Sequence, residues 1–181
     1  TLRLFVIVFQ HKHLRECLIS NNKFVSFLNF VTNELKSAGT ISMVGYIVNK
    51  GDISQETMEK IRNEQFINTF LDVASQNDVE SKVSSHNALQ FIQKAAKFGI
   101  FSDFLPYIQW ISKLKDDEEL KETVSLVAAE LARNESCAKK MVSLRFNNFY
   151  ERQLNDPSCS DSLKANANAF LKRVQRFQRR E

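Results

Sequence analysis

Apolar residues recur at helical spacing along nearly the whole chain. Residues 86–114 (HNALQFIQKAAKFGIFSDFLPYIQWISKL) show it best. Their first half lines up Ala88, Leu89, Ile92, Ala95 and Ala96. Their second half lines up Phe104, Leu105, Ile108, Ile111 and Leu114. Each set is one face of a 3.6-residue period, so the stretch predicts a helix, a short kinked turn and a second helix opened by Phe104. Neither helix can bury its face alone, and the unit must stack on something.

The chain supplies copies of this unit. Phe66, Ile67, Phe70 and Val73 repeat the pattern of Phe104, Leu105, Ile108 and Ile111, 38 residues earlier. Phe24, Val25, Leu28 and Val31 repeat it 42 residues before that. Phe146 and Tyr150 repeat it 42 residues after Phe104, with polar Asn147 and Gln153 in the other places. The first helix also recurs: 40–48 (TISMVGYIV), 88–96 (ALQFIQKAA), 124–132 (VSLVAAELA) and 167–175 (ANAFLKRVQ) align, and 1–9 (TLRLFVIVF) fits as an earlier copy. Linking turns are expected at 15–20, 57–61, 97–101 and 135–143. Gly39 and Gly51 are expected to end helices in the left-handed conformation. Acidic 116–119 is expected at a helix start, and Pro157 in 155–161 breaks the chain before the last helix.

A short helix, then one like FVSFLNFV or FLPYIQWI, then one like ALQFIQKAA, resembles the armadillo repeat, with the HEAT class as a near relative. A period of about 40 residues agrees with that class. The resemblance implies an all-α, right-handed α-solenoid of about four armadillo-like repeats with an extra helix at each end. It covers residues 1–181 as a single armadillo-like repeat domain, expected to be a piece of a longer protein because it opens on Thr1. The third helices would line a concave groove. Peptide-reading members carry there a Trp and, four residues on, an Asn. Here the Trp place holds Arg3, Ser42, Gln90, Leu126 and Ala169. The Asn place holds Ile7, Tyr46, Lys94, Glu130 and Arg173. The ladder is absent, so a groove must be read by other chemistry, through Tyr46, Gln90, Lys94, Leu126, Glu130 and Arg173.

Composition adds limits. Four Gly and two Pro in 181 residues leave little punctuation for a sheet-rich fold. No apolar run approaches the roughly 20 residues of a membrane span. Cys17, Cys137 and Cys159 are odd in number and far apart, which fits reduced thiols and an intracellular setting. The net charge of +4 is uneven: residues 1–163 carry −1 and 164–181 carry +5. Lys172, Arg176, Arg179 and Arg180 form a basic patch on the last helix, for nucleic-acid phosphates or acidic partner segments, or as a solvated cap.

Catalytic chemistry is not signalled. His11, Lys12 and His13 cluster near Glu16 and Cys17 without a known metal-ligand spacing. His86 stands alone at a helix start. No phosphate loop, nucleophile elbow or Cys-x-x-Cys pair is present, so neither an enzyme nor a cofactor is expected. Residues 1–9 are apolar on every face, which suits burial or an end interface through Arg3, Val6 and Ile7 to a second copy or to upstream repeats. Phe30 and Trp110 share one off-core place, and Phe27, Tyr107 and Phe149 another. Exposed aromatics of this kind anchor interfaces. The expected function is a non-enzymatic protein–protein interaction scaffold. The alternatives are a nucleic-acid-binding helical repeat or a dimerisation module.

Overall fold

The computed structural model describes residues 11–51, 53–76 and 82–179. Every regular element among them is a helix. The chain divides into two compact units that meet in sequence between Phe91 and Ile92. The apolar first segment lies outside the described residues, and with it Arg3, Val6 and Ile7; Arg180 does too.

The first unit opens with α1 (Lys12–Ser20), which buries Ile19. α2 (Phe24–Leu35) buries Phe24, Val25, Leu28, Val31 and Thr32 along one stripe. Lys36 ends it in the left-handed conformation, φ 33°, donating its N–H to the Thr32 carbonyl. α3 (Ala38–Lys50) is capped by Ser37, whose Oγ accepts from the Thr40 N–H at 3.2 Å. It is buried on most of its surface, through Thr40, Ile41, Met43, Val44, Ile47 and Val48.

α4 (Gln55–Asn63) is capped in the same way by Ser54 and buries Met58 and Ile61. α5 (Phe66–Gln76) buries Phe66, Ile67, Phe70, Leu71, Val73 and Ala74. α2 packs against α1, α3, α4 and α5. The start of α6 (Lys82–Lys97) completes the unit. Phe91 meets Phe66 and Phe70 edge-on, with ring centroids 6.0 and 5.3 Å apart.

The second unit begins inside α6. Gly99, at φ +82°, turns the chain out of that helix, and the Ile100 N–H reaches back to the Ala95 carbonyl at 3.3 Å. This is the left-handed glycine stop of a helix end. A 3₁₀ helix, Ser102–Tyr107, leads into α7 (Ile108–Leu114). α8 (Lys121–Leu131), α9 (Glu135–Ser143), α10 (Phe146–Asn155) and α11 (Asp161–Gln178) follow. α11 packs on α8, α9 and α10, and α9 on the 3₁₀ helix and α7. Phe170 of α11 sits 5.0 Å from the Tyr150 ring and 6.2 Å from the Phe146 ring.

Several local expectations change. The segments before Phe24, Phe66 and Phe146 are nine-residue helices (α1, α4 and α9), not turns. Only the copy before Phe104 is a turn. Phe104 lies inside a 3₁₀ segment that Ser102 opens, where Pro106 has no N–H to give to an α-helical bond.

Gly51 is extended, φ −74°, and is buried where an added Cβ would collide with Ile19 Cδ1. Gly39 lies inside the first turn of α3. Left-handed residues instead sit directly before two of the Phe-led helices, as Gln65 (φ 57°) and Arg145 (φ 63°). The acids of 116–119 precede α8 rather than start it. Asp117 Oδ1 accepts from the Glu119 and Leu120 N–H groups at 2.9 and 3.2 Å, a local turn that delays the helix to Lys121. The break at 155–161 does separate α10 from α11.

Candidate functional site

In each unit the candidate surface belongs to a pair of helices whose sequences align, 48 residues apart in the first unit and 43 in the second. In the first unit the pair is α3 and α6. Gly45 brings the two backbones together: a Cβ there would stand 2.7 Å from Asn87 Cβ. Around it, Asn87 Nδ2 donates to the Ser42 carbonyl at 3.2 Å, and Asn49 Nδ2 donates to the Asn87 carbonyl at 2.9 Å. The Ser42 and Ser84 hydroxyls are 3.3 Å apart. Tyr46 and Gln90 stand half-buried on these helices. Gln90 Nε2 and His86 Nε2 lie 2.8 Å apart, which ties Gln90 to its own helix.

In the second unit the pair is α8 and α11. Asn166 Nδ2 donates to Ser125 Oγ at 3.2 Å, and the Ser160 hydroxyl donates to the Glu122 carboxylate. The Arg173 guanidinium donates to the Ala129 carbonyl. It also stands 3.7 Å from the Glu130 carboxylate, which Arg133 meets at 3.2 Å. Glu130 and Arg173 are therefore partners of each other rather than two independent groups facing a ligand. Their side chains are 18% and 28% exposed. Leu126 is half-buried beside them, and Lys94 is half-buried on α6.

The end of α11 carries two clefts that share Phe177 as a wall. One, of about 340 Å³, is apolar and is lined chiefly by Ala138, Val142, Val174 and Phe177, with Lys139 and Ser143 at its rim. The other, of about 410 Å³, is lined by Ala132, Arg133, Arg173, Arg176 and Phe177. Arg133 and Arg173 are drawn to Glu130. Arg176 has no ion pair among the described residues, and neither have Lys172 and Arg179 of the basic patch; all three are exposed.

Of the aromatic candidates, Phe30 is 64% exposed, and Trp110 and Phe27 are half-buried. Tyr107 and Phe149 are core residues, so their shared place serves packing rather than interface anchoring. Phe149 packs its ring 5.2 Å from Tyr150, and Lys115 Nζ lies 5.9 Å over it.

The chemistry-bearing residues do not converge. His11, Lys12 and His13 are exposed on or beside α1, with Lys12 and His13 3.8 and 3.9 Å from Glu16. Among the described residues no three His, Cys, Asp or Glu side chains are placed to hold a metal ion. The three cysteines are free thiols. Cys137 is buried, which pushes its pKa up to about 11, and its Sγ faces the Phe101 carbonyl at 3.5 Å. Among the described residues no helix is long and apolar enough to cross a membrane.

Sequence reading named Glu130 and Arg173 separately and missed their pairing. It also missed Arg133, Val142 and Phe177 as surface-forming residues. The 43-residue separation of Glu130 and Arg173 equals the repeat period within a residue or two, and opposite charges at that offset are the signal that was there to find. No protein-family model matches the sequence, and no curated protein or solved structure matches it.

Proposed function

We propose that the chain is an armadillo-like helical repeat, a right-handed solenoid that acts as a non-enzymatic module for binding a segment of another protein. One observation carries the reading. The aligned helices pair side by side within each unit, through Ser42–Ser84, Ser125–Asn166 and Ala129–Arg173, at offsets of 41 to 44 residues. That is the contact pattern of stacked repeats, in which equivalent helices are neighbours. Such helices leave side chains part-exposed within each unit: Tyr46 and Gln90 in the first, and Leu126 with the Glu130–Arg173 pair in the second. Half-buried residues of mixed chemistry on a rigid backbone suit recognition by shape, in which a few anchors carry the affinity.

The test is capture of partners by the immobilised chain, compared with Lys94→Glu and Leu126→Glu. Arg173→Glu is a poor probe of the groove, because it would set a like charge against Glu130 and disturb the α8–α11 contact. At least a tenfold loss of the captured proteins is expected from either variant, with an unchanged circular dichroism spectrum. Retention of the same proteins by both variants would refute the groove.

A further inference from the structure

We infer that the end of α11 is a docking site for a protein segment that is acidic and amphipathic, an apolar side chain entering the α9–α11 cleft and carboxylates meeting Arg176 across Phe177. The inference rests on the reading above only in that the ligand is a protein segment. It concerns a surface that adjoins the groove residues at Arg173 and extends away from them.

The apolar cleft is large enough, at about 340 Å³, for a leucine- or phenylalanine-sized side chain, and its walls are aliphatic and aromatic. Leaving such a surface open to water is unfavourable. The charge around it selects the occupant. On the far side of Phe177 the second cleft holds three guanidiniums against one carboxylate. Glu130 is engaged twice, so the cationic excess falls on exposed Arg176, with Lys172 and Arg179 exposed on the same helix. On the α9 side, Lys139 is paired with Glu135 at 3.0 Å, whereas exposed Lys140 has no ion pair among the described residues. An apolar seat flanked by unpaired cations is complementary to a segment that alternates apolar and acidic residues at helical spacing. A nucleic acid would meet the cations and could stack a base on Phe177, but the other walls of the apolar cleft, Ala138, Val142 and Val174, are aliphatic and suit an apolar side chain better. This favours a peptide over a nucleic acid.

The experiment uses four labelled probes with the intact chain: a peptide of leucines at helical spacing with glutamates between them, its scrambled sequence, its lysine counterpart and a single-stranded oligonucleotide. Fluorescence anisotropy should show that the acidic amphipathic peptide binds at least tenfold tighter than the scrambled and lysine peptides. Arg176→Glu should weaken it about tenfold. Ser143→Trp, which fills the apolar cleft from an exposed rim position, should weaken it by a similar factor.

The inference is overturned if scrambled and ordered peptides bind alike, or if neither variant changes the affinity. It is also overturned if the oligonucleotide binds more tightly than the peptide and is insensitive to Ser143→Trp, which would assign the patch to nucleic acid. Sedimentation that shows self-association of the wild type abolished by Ser143→Trp would overturn it as well, by making a second copy the occupant. Groove variants such as Leu126→Glu should leave this peptide's affinity unchanged, so the two readings can fail separately.

Discussion

The two pairs of aligned helices, α3 with α6 and α8 with α11, meet at nearly the same offset along the chain and are joined by different chemistry. The first pair is neutral. Gly45 removes a side chain so that backbones approach, and the amides of Asn49 and Asn87 bridge to main-chain carbonyls. The second pair has Ala129 at the place aligned with Gly45, and a long cationic side chain, Arg173, makes the bond to its carbonyl. The difference teaches that the helical pairing does not depend on one kind of contact. The choice of contact fixes what each unit shows to solvent. Residues 1–91 carry nine Lys/Arg and nine Asp/Glu, whereas residues 92–181 carry 16 and 12. Joining the second pair with an arginine draws on Glu130 and leaves Arg176 uncompensated.

The largest expected effect tests what the pairs have in common. Phe91→Ala and Phe170→Ala each empty the centre of a buried aromatic cluster, and each should cost about 3–5 kcal/mol in denaturant unfolding. Losses of similar size would show that both units rest on the same device. A loss below about 1 kcal/mol at either site, far under the usual range for such a truncation, would break the parallel.

The next prediction separates the two chemistries. Asn87→Ala removes a neutral bond and should cost about 1 kcal/mol at any ionic strength. Arg173→Met removes charge-assisted contacts and should cost about 1.5–3 kcal/mol. Raising salt from about 0.1 M to about 1 M should shrink the second loss and not the first. Equal salt dependence in the two variants would erase the distinction.

The smallest effect concerns Tyr150. Its hydroxyl is buried without a hydrogen-bond partner among the described residues, and burial drives its pKa far above the ordinary phenol value. The phenol therefore stays neutral across the accessible pH range. Tyr150→Phe should leave the midpoint unchanged or raise it, by less than about 1 kcal/mol, since an unpaired buried hydroxyl is a cost. Destabilisation beyond about 2 kcal/mol would mean that the hydroxyl is bonded after all.

Much of this architecture was legible in the chain. The helices α2, α5 and α10 announce themselves by a Phe at the first position and apolar residues behind it. The helices α3, α6, α8 and α11 announce themselves by small and apolar residues in register. The nine-residue helices were read from their own residues as linking turns, and only the armadillo resemblance implied a short helix there. α1 buries Ile19 alone, α4 buries Met58 and Ile61, and α9 buries Cys137, Ala138 and Met141. So few buried positions in so short a span do not establish a period. Glu130 and Arg173 could each be named from the sequence as groove candidates, but nothing local to either shows that they neutralise one another.

The sequence by itself determined that this chain is helical, where most of its helices lie and that their pattern returns after about 40 residues. Those properties follow from contacts between residues three and four apart, which periodicity records directly. Only the tertiary structure decided which polar residues are spent on holding helices together and which stay exposed to solvent. Asn87, Asn166 and Arg173 find their partners 41 to 45 residues away, a distance over which the linear pattern carries no directional information. The cleft beside Phe177 likewise exists only because α9 and α11 pack together.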